Sequence, residues 1–173
     1  MRIRTALGMG AAVLATTAIG GAATGPAVQS DWYRHLRKPA YQPPRQVFPV
    51  VWPALYTDIA VVSASTVDRL RADGDDTARR AYQRALAANL ALNAAWSWVF
   101  FGRRRFASAT VVSAALTVSS ADLARRAVAV GGPRGAALLP YPLWCAFATV
   151  LSGDIAMRNR GGRRCNPRVV AAG

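Results

Sequence analysis

Residues 85–121 read ALAANLALNAAWSWVFFG, then RRR, then FASATVVSAALTVSSA. Two uncharged runs are separated only by three arginines. A run of roughly 20 apolar residues crosses the hydrocarbon core of a bilayer as one α-helix. Helices satisfy their own backbone hydrogen bonds, which hydrocarbon requires. The stretch therefore predicts two antiparallel membrane-spanning helices joined by a short basic turn.

Three further apolar runs extend this pattern toward both ends of the chain. They lie at residues 5–30, at residues 47–67 with Asp58 as the one charge, and at residues 135–153. A polar connection begins at Asp68, and another covers residues 125–134. We predict an all-α integral membrane bundle of five transmembrane helices, at about residues 5–28, 47–67, 81–102, 106–124 and 135–157. The membrane domain ends at residue 159, and residues 160–173 are predicted to be a basic disordered tail.

The first run has two interpretations. It follows Arg2 and Arg4, and it contains small residues such as Ala22 and Ala23. A basic start and a small-residue site are typical of a cleaved secretory signal. Four more apolar runs downstream favour a first membrane helix instead.

The charge balance is strongly basic. The 173 residues include 22 Lys plus Arg and eight acidic residues, all of them Asp, for a net charge of +14. Such an excess is found in nucleic-acid-binding proteins, but here the cations cluster at the ends of the apolar runs, as in loops that flank membrane helices. We therefore expect a multi-pass protein of a bacterial-type cell membrane, with the lipid bilayer and no nucleic acid as partner. The first and third connections and the tail, which share one side of the membrane, carry twelve Lys and Arg. The amino end and the second and fourth connections carry ten, so the count favours the carboxyl end inside.

The first connection, at residues 29–46, is predicted to be a stiff, extended lid instead of a helix. Pro39, Pro43 and Pro44 fix the backbone and remove hydrogen-bond donors. Its aromatic residues are Trp32, Tyr33 and Tyr41, and its cations are Arg34, Arg37, Lys38 and Arg45. An aromatic belt with positive anchors at the membrane surface is the alternative interpretation.

Aromatic and amide side chains recur at helical spacing in three of the runs. The stripes are Trp52 and Tyr56; Asn89, Asn93, Trp96 and Phe100; and Tyr141, Trp144, Ala148 and Leu151. Each stripe occupies one face of its helix. Such faces form either a packed core or the wall of a ligand pocket. Buried amides are satisfied by a ligand or by hydrogen bonds between helices, and the spacing leaves both open.

No catalytic constellation is visible. The chain has no nucleophile–base pair, no glycine-rich phosphate loop and no set of metal ligands, so we assign no catalytic residue, no metal site and no obligatory cofactor. Asp58 is the one ionisable residue near the middle of an apolar run. Such residues are costly and are functional candidates by default. One hypothesis is a protonated Asp58 that donates a hydrogen bond to the third helix.

The motifs resemble the TspO/MBR family, which comprises the bacterial tryptophan-rich sensory proteins and the mitochondrial translocator proteins. Four segments carry the resemblance in order and with matching spacing: W-Y-x-x-L-x-K-P-x-Y-x-P-P at 32–44, F-x-x-x-W-x-x-L-Y at 48–56, N-x-x-x-N-x-x-W-S-x-x-F-F-G at 89–102, and P-Y-x-x-W-x-x-F-A at 140–148. It implies a five-helix bundle, often a homodimer, whose first loop covers a pocket for porphyrins, sterols and benzodiazepine-type drugs.

By position, the resemblance assigns a set of pocket residues, to which the stripe adds Asn93: Tyr33, Trp52, Asn89, Tyr141, Trp144 and Ala148. Trp52 and Trp144 would be the tryptophans associated with porphyrin chemistry. The lid cations are our own candidates for pairing with porphyrin propionates. The Tyr of the family's sterol pattern is absent after Leu151, so we do not expect sterol binding.

The resulting functional hypothesis is a membrane protein that binds tetrapyrroles of the protoporphyrin or haem type between its helices and is linked to stress or tetrapyrrole homeostasis. Whether it also translocates them stays open. One alternative is light- and oxygen-dependent porphyrin degradation, which would make the chain an enzyme. Another is a regulatory sensor that acts through a partner protein.

Overall fold

The computed structural model describes residues 2–160, which contain helices and no strand. Five of these helices are long and apolar enough to cross a membrane, as predicted. The helices are α1 Ile3–Gln29, α2 Asp31–His35, α3 Phe48–Ala72, α4 Asp76–Ser97, α5 Phe106–Gly131, α6 Pro133–Ala136 and α7 Pro140–Arg158, and α4 continues as a π-helical turn over Trp98–Gly102. The predicted tail lies, apart from Arg160, outside the described residues.

The spanning helices form an antiparallel bundle. Helix α5 packs between α4 and α7, α1 packs against α3 and α4, and α3 also contacts α5 and α7. Two sets of features therefore lie at opposite ends of the bundle. One end, the lid end, holds α2, the rest of the lid, the π-helical turn and the carboxyl end of α7. The other end holds the α3–α4 connection and α6.

Two hydrophobic clusters fill the bundle. The larger one runs along its length and includes Ile59, Val67 and Leu123. The smaller one lies at the lid end, where Leu36 packs with Phe100 and others. Small residues let helices approach closely in a membrane.

The small residues of the fourth apolar run divide between the inside and the outside of the bundle. Ala109 and Ser113 are buried, whereas Ala107, Ala114 and Ala115 on the same helix are exposed. The three exposed residues make no close contact within the bundle, and the homodimer stays a prediction.

The helices extend further beyond the membrane than predicted at the end opposite the lid. Helix α3 continues five residues past Val67, and its last turn carries Arg69 and Arg71, which suit the negative end of the helix dipole. Only Asp73–Asp75 connect it to α4, with Gly74 at φ 72. The predicted polar connection is thus largely helical, because hydropathy marks where a helix leaves hydrocarbon and not where it ends.

The same holds for α5, which runs to Gly131 and not to residue 124. Its Asp122 is held by Arg125 at 2.7 Å and Arg126 at 2.6 Å. Gly132 ends the helix at φ 55, a backbone conformation that glycine adopts without steric cost.

The lid is not extended throughout, contrary to the prediction. Its first residues form α2, where the backbone N–H of Tyr33 donates to Ser30 Oγ at 3.4 Å and Arg34 pairs with Asp31. The prolines begin only at Pro39, so they do not prevent this turn of helix. Residues 36–47 are free of helix and cross the end of the bundle.

Candidate functional site

An aromatic cavity lies beneath the lid, between α3, the end of α4 and α7. Its volume is about 40 Å³, and its walls are Tyr33, Gln42, Phe48, Trp52, Trp96, Phe100, Phe101, Trp144, Phe147, Ala148, Leu151, Ser152 and Ile155. Four of the predicted pocket residues, Tyr33, Trp52, Trp144 and Ala148, line it. We call it the lid cavity.

Aromatic rings make tilted and edge-on contacts around the lid cavity. The ring centroids of Phe48 and Trp144 lie 6.0 Å apart at 65°, and those of Trp144 and Phe147 lie 5.5 Å apart. On the facing wall, Trp96 meets Phe101 edge-on at 5.9 Å. These geometries are the favourable ones for aromatic pairs. The walls therefore offer flat apolar faces to whatever enters.

Two indole N–H groups of this cavity lack an acceptor among the described residues. Nε1 of Trp96 and Nε1 of Trp144 are buried without a hydrogen-bond partner. By contrast, Trp98 lies outside the cavity, and its Nε1 donates to the carbonyl oxygen of Ile19 at 3.0 Å. A buried donor without a partner costs about 1–3 kcal/mol. Both nitrogens are themselves shielded from the cavity space, so the acceptor atoms of a ligand reach them only when the wall side chains shift.

Three predicted pocket residues, Asn89, Asn93 and Tyr141, do not line the lid cavity. The Tyr141 hydroxyl donates to Asn89 Oδ1 at 2.8 Å and accepts from Asn93 Nδ2 at 3.3 Å. Tyr56 donates to Asn93 Oδ1 at 2.8 Å, and Asn89 Nδ2 donates to Ser119 Oγ at 3.2 Å. The two amides are thus satisfied between helices, without a ligand.

An asparagine at the end of α7 holds the lid backbone. Asn159 Nδ2 donates to the carbonyl oxygen of Arg37 at 2.9 Å, and the Arg37 N–H donates to Asn159 Oδ1 at 3.2 Å. Beside this clamp Leu36 is buried. Further along the lid, the ring of Tyr41 stands edge-on to Phe147 at 6.3 Å. The lid therefore closes the cavity through few contacts.

None of the four lid cations lines the cavity, but one lies against its wall. Lys38 Nζ sits 3.9 Å from the ring centroid of Tyr33. Burial lowers the pKa of Lys38, and burial raises the pKa of Tyr33 against the opposing effect of the Gln42 side chain. Arg34 is paired with Asp31, and Arg37 and Arg45 are exposed.

Several wall residues were absent from the predicted site. Trp96, Phe100 and Leu151 belong to the stripes recognised in the sequence, so a signal existed for them. Gln42 stands in a non-periodic lid, where no spacing rule applies. Its place in the wall follows from the path of the lid alone.

Asp58 makes no hydrogen bond to α4 among the described residues. It is partly buried, and its Oδ2 is buried without a partner. The hypothesis of a donated hydrogen bond therefore has no support in this geometry, and nothing in the structure explains the carboxyl group.

Comparison with known proteins identifies the family. Residues 9–158 match the model of the TspO/MBR family. The chain is similar to the tryptophan-rich sensory protein of Cereibacter sphaeroides, with 35% identity over 138 residues that cover 79% of this chain and 82% of that protein. It is similar to the human translocator protein, with 36% identity over 138 residues that cover 77% and 79%. Protein CrtK of Rhodobacter capsulatus is 29% identical over 130 residues, covering 75% and 79%. The chain belongs to the TspO/MBR family and is an integral, multi-pass membrane protein.

Proposed function

We propose that the protein binds a tetrapyrrole of the protoporphyrin or haem type in the lid cavity. The observation that carries this proposal is an aromatic-walled cavity with two buried indole donors, those of Trp96 and Trp144, that have no acceptor. A tetrapyrrole offers a broad apolar π-face to stack on such walls. It also carries carboxylate oxygens that accept hydrogen bonds.

The size of the cavity makes lid movement part of this function. A volume of about 40 Å³ holds little more than one water molecule. A macrocycle therefore enters only when the lid and the cavity side chains shift. Because residues 36–47 lack helix and are tied to α7 by only a few polar contacts, those of Asn159 with Arg37 and of Tyr41 with Asp154, the lid is the element that yields.

Lys38 is the cation best placed to meet a ligand carboxylate. It lies on Tyr33, which lines the cavity, and burial without a counter-charge lowers its pKa. A carboxylate beside it would favour the charged form and reverse that shift. The affinity for an anionic ligand should therefore fall as pH rises through the pKa of Lys38, and Lys38→Gln should remove this dependence.

The test is titration of the protein in lipid nanodiscs with protoporphyrin IX, followed by the Soret absorbance of the porphyrin. We expect saturable binding that weakens about tenfold in Trp144→Phe, which keeps an aromatic ring but removes the indole N–H donor. Trp98→Phe is the matched control, since its indole lies outside the cavity and is already paired. Equal affinity in Trp144→Phe, Trp96→Phe and the control would place the ligand elsewhere.

Light- and oxygen-dependent porphyrin degradation is the second candidate. It is favoured by an oxidisable pair of which one member lines the cavity: Trp52 forms part of the wall, and its ring centroid lies 5.4 Å from that of Tyr56. Illuminated porphyrin should lose absorbance faster with the protein than without it, and Trp52→Phe should slow that loss while binding is kept. Loss at the rate of free porphyrin rejects the enzyme.

A further inference from the structure

A second, larger cavity lies at the lid end and shares no wall residue with the lid cavity. It measures about 710 Å³ and lies between α2, the Arg103–Arg105 turn, the start of α5 and the end of α7. Its polar wall includes Asn159, which is held in the lid clamp. The rest of the polar wall is Arg103, Arg104, Arg160 and His35, and Trp32 and Phe106 supply much of the apolar wall. We call these six residues the arginine niche.

The niche holds cations without compensating acids. No Asp lines it, and Arg103, Arg104 and Arg160 form no salt bridge with any residue between 2 and 160. Guanidinium groups pair with phosphates through two parallel hydrogen bonds. The charge of this cavity therefore fits a phosphate-bearing anion.

The backbone of Arg104 is held in an uncommon conformation. Its φ is 53, the one positive value at a non-glycine residue between 2 and 160. This left-handed conformation is unfavourable for an L-residue with a Cβ. The guanidinium carbon of the same residue lies 4.6 Å from the ring centroid of Trp32, which is itself stacked on Phe106 at 6.0 Å and 7°. Strained residues of this kind cluster at ligand-binding sites.

The niche lies where the membrane surface must be. Gly102 ends the span of α4, Phe106 begins α5, and Arg158 ends α7, so all three spans stop beside it. Its apolar wall continues down α5 and α7 through Ala107 and Ala156. A molecule that fits both walls has an anionic head and an apolar tail. Basic pockets between membrane helices are suited to such lipids.

From this geometry we propose that the arginine niche binds the phosphate headgroup of an anionic phospholipid, with the phosphate between Arg103 and Arg104 and the glycerol and upper acyl carbons against Phe106. The choice of a lipid over free phosphate rests on the apolar wall and the depth at the membrane edge. The proposal is independent of what the lid cavity binds.

The test compares lipid retention by native mass spectrometry of the full chain in detergent, with phosphatidylglycerol, phosphatidylcholine or inorganic phosphate added. We expect phosphatidylglycerol to bind, and to bind about tenfold or more weakly in the Arg103→Gln/Arg104→Gln variant. The control is Arg80→Gln/Arg84→Gln, which removes two exposed charges from α4 on the opposite side of the membrane.

A second variant distinguishes loss of the lipid site from misfolding of the protein. Arg104→Gly relieves the left-handed backbone, so it should fold at least as well and still lose lipid. Equal binding of phosphatidylcholine, equal loss in the control pair, or full retention in Arg104→Gly would each overturn the proposal. Displacement of the lipid by inorganic phosphate at similar concentration would show that the site takes free phosphate instead.

Discussion

The Tyr141 hydroxyl is hydrogen-bonded to both buried asparagines, Asn89 and Asn93, and so connects α7 to α4. In Tyr141→Phe the ring still fills its space, but Asn89 loses a donor and Asn93 loses an acceptor. Hydrogen bonds between membrane helices contribute about 0.6–1.7 kcal/mol. We expect Tyr141→Phe to destabilise the protein by about 1 kcal/mol or more, measured by thermal unfolding in detergent. Tyr41→Phe removes only an exposed hydrogen bond to Asp154, so it should lower the midpoint much less, and an equal loss in both would contradict the role of the network.

Asp58, unlike Tyr141, has a buried oxygen, Oδ2, without a hydrogen-bond partner among the described residues. A carboxyl in mid-membrane costs about 2.5–3.5 kcal/mol on insertion scales. Asp58→Leu should therefore raise the free energy of unfolding by about 1–3 kcal/mol. Thr57→Leu is the matched control, because the Thr57 hydroxyl already donates to Pro53 O at 2.8 Å. Loss of stability or of porphyrin binding in Asp58→Leu would mean that the carboxyl group has a functional partner.

Residue spacing predicts which side of a helix faces inward, and it did so for Trp52, Trp144 and Ala148. It does not fix how one helix is rotated against the next. The spacing of Asn89 and Asn93 is therefore compatible with contact to a ligand or to a neighbouring helix. Only the packed bundle shows that they are hydrogen-bonded to Tyr141, Tyr56 and Ser119.

At the scale of elements, the tightest approach joins α6 to the end of α5. A Cβ added at Gly135 would lie 2.1 Å from the carbonyl oxygen of Ala127, a backbone atom that cannot move aside. Gly135→Ala should cost about 3 kcal/mol or more through overpacking. Gly131→Ala is the control, since nothing lies within 4 Å of its added Cβ. Thermal unfolding should show a large loss for the first and none for the second, and equal midpoints would mean that α6 is not packed this closely.

The clamp between Asn159 and Arg37 sets how easily the lid opens. Asn159→Ala removes both hydrogen bonds to the Arg37 backbone, each contributing about 1 kcal/mol. Hydrogen exchange in peptides covering residues 36–47 should accelerate about tenfold, while exchange in α3 stays unchanged. Met157→Ala, an exposed neighbour on α7, should have no effect. If exchange in the lid is the same in both variants, the apolar contacts of Leu36 hold the lid instead.

Hydropathy predicted which elements exist but not where they end. Helices α3 and α5 continue through charged turns beyond the apolar run, because Arg69, Arg71 and Asp122 sit in water without interrupting the backbone hydrogen bonds. Hydropathy also does not predict the short helix α2. The prolines restrict the lid backbone only from Pro39 onward, and upstream of them the Ser30 side chain caps a turn of helix.

At the scale of the whole molecule, the two cavities meet at the lid. Tyr33 and Gln42 of the lid line the lid cavity, and Trp32, His35 and Leu36 line the larger one. The second cavity is therefore complete only while the lid is closed. A ligand that binds one of two conformations better shifts the equilibrium toward it by its difference in affinity. A lipid headgroup in the arginine niche should then favour the closed lid.

This coupling predicts slower lid opening in an anionic membrane. Hydrogen exchange in residues 36–47 should be slower in nanodiscs of phosphatidylcholine with phosphatidylglycerol than in phosphatidylcholine alone. The difference should vanish in Arg103→Gln/Arg104→Gln and persist in Arg80→Gln/Arg84→Gln, because only the first pair lies beside the lid. A lipid effect of the same size in both pairs would come from the general surface charge. In that case the headgroup would not connect α2 to the bundle, and the lid would open independently of the niche.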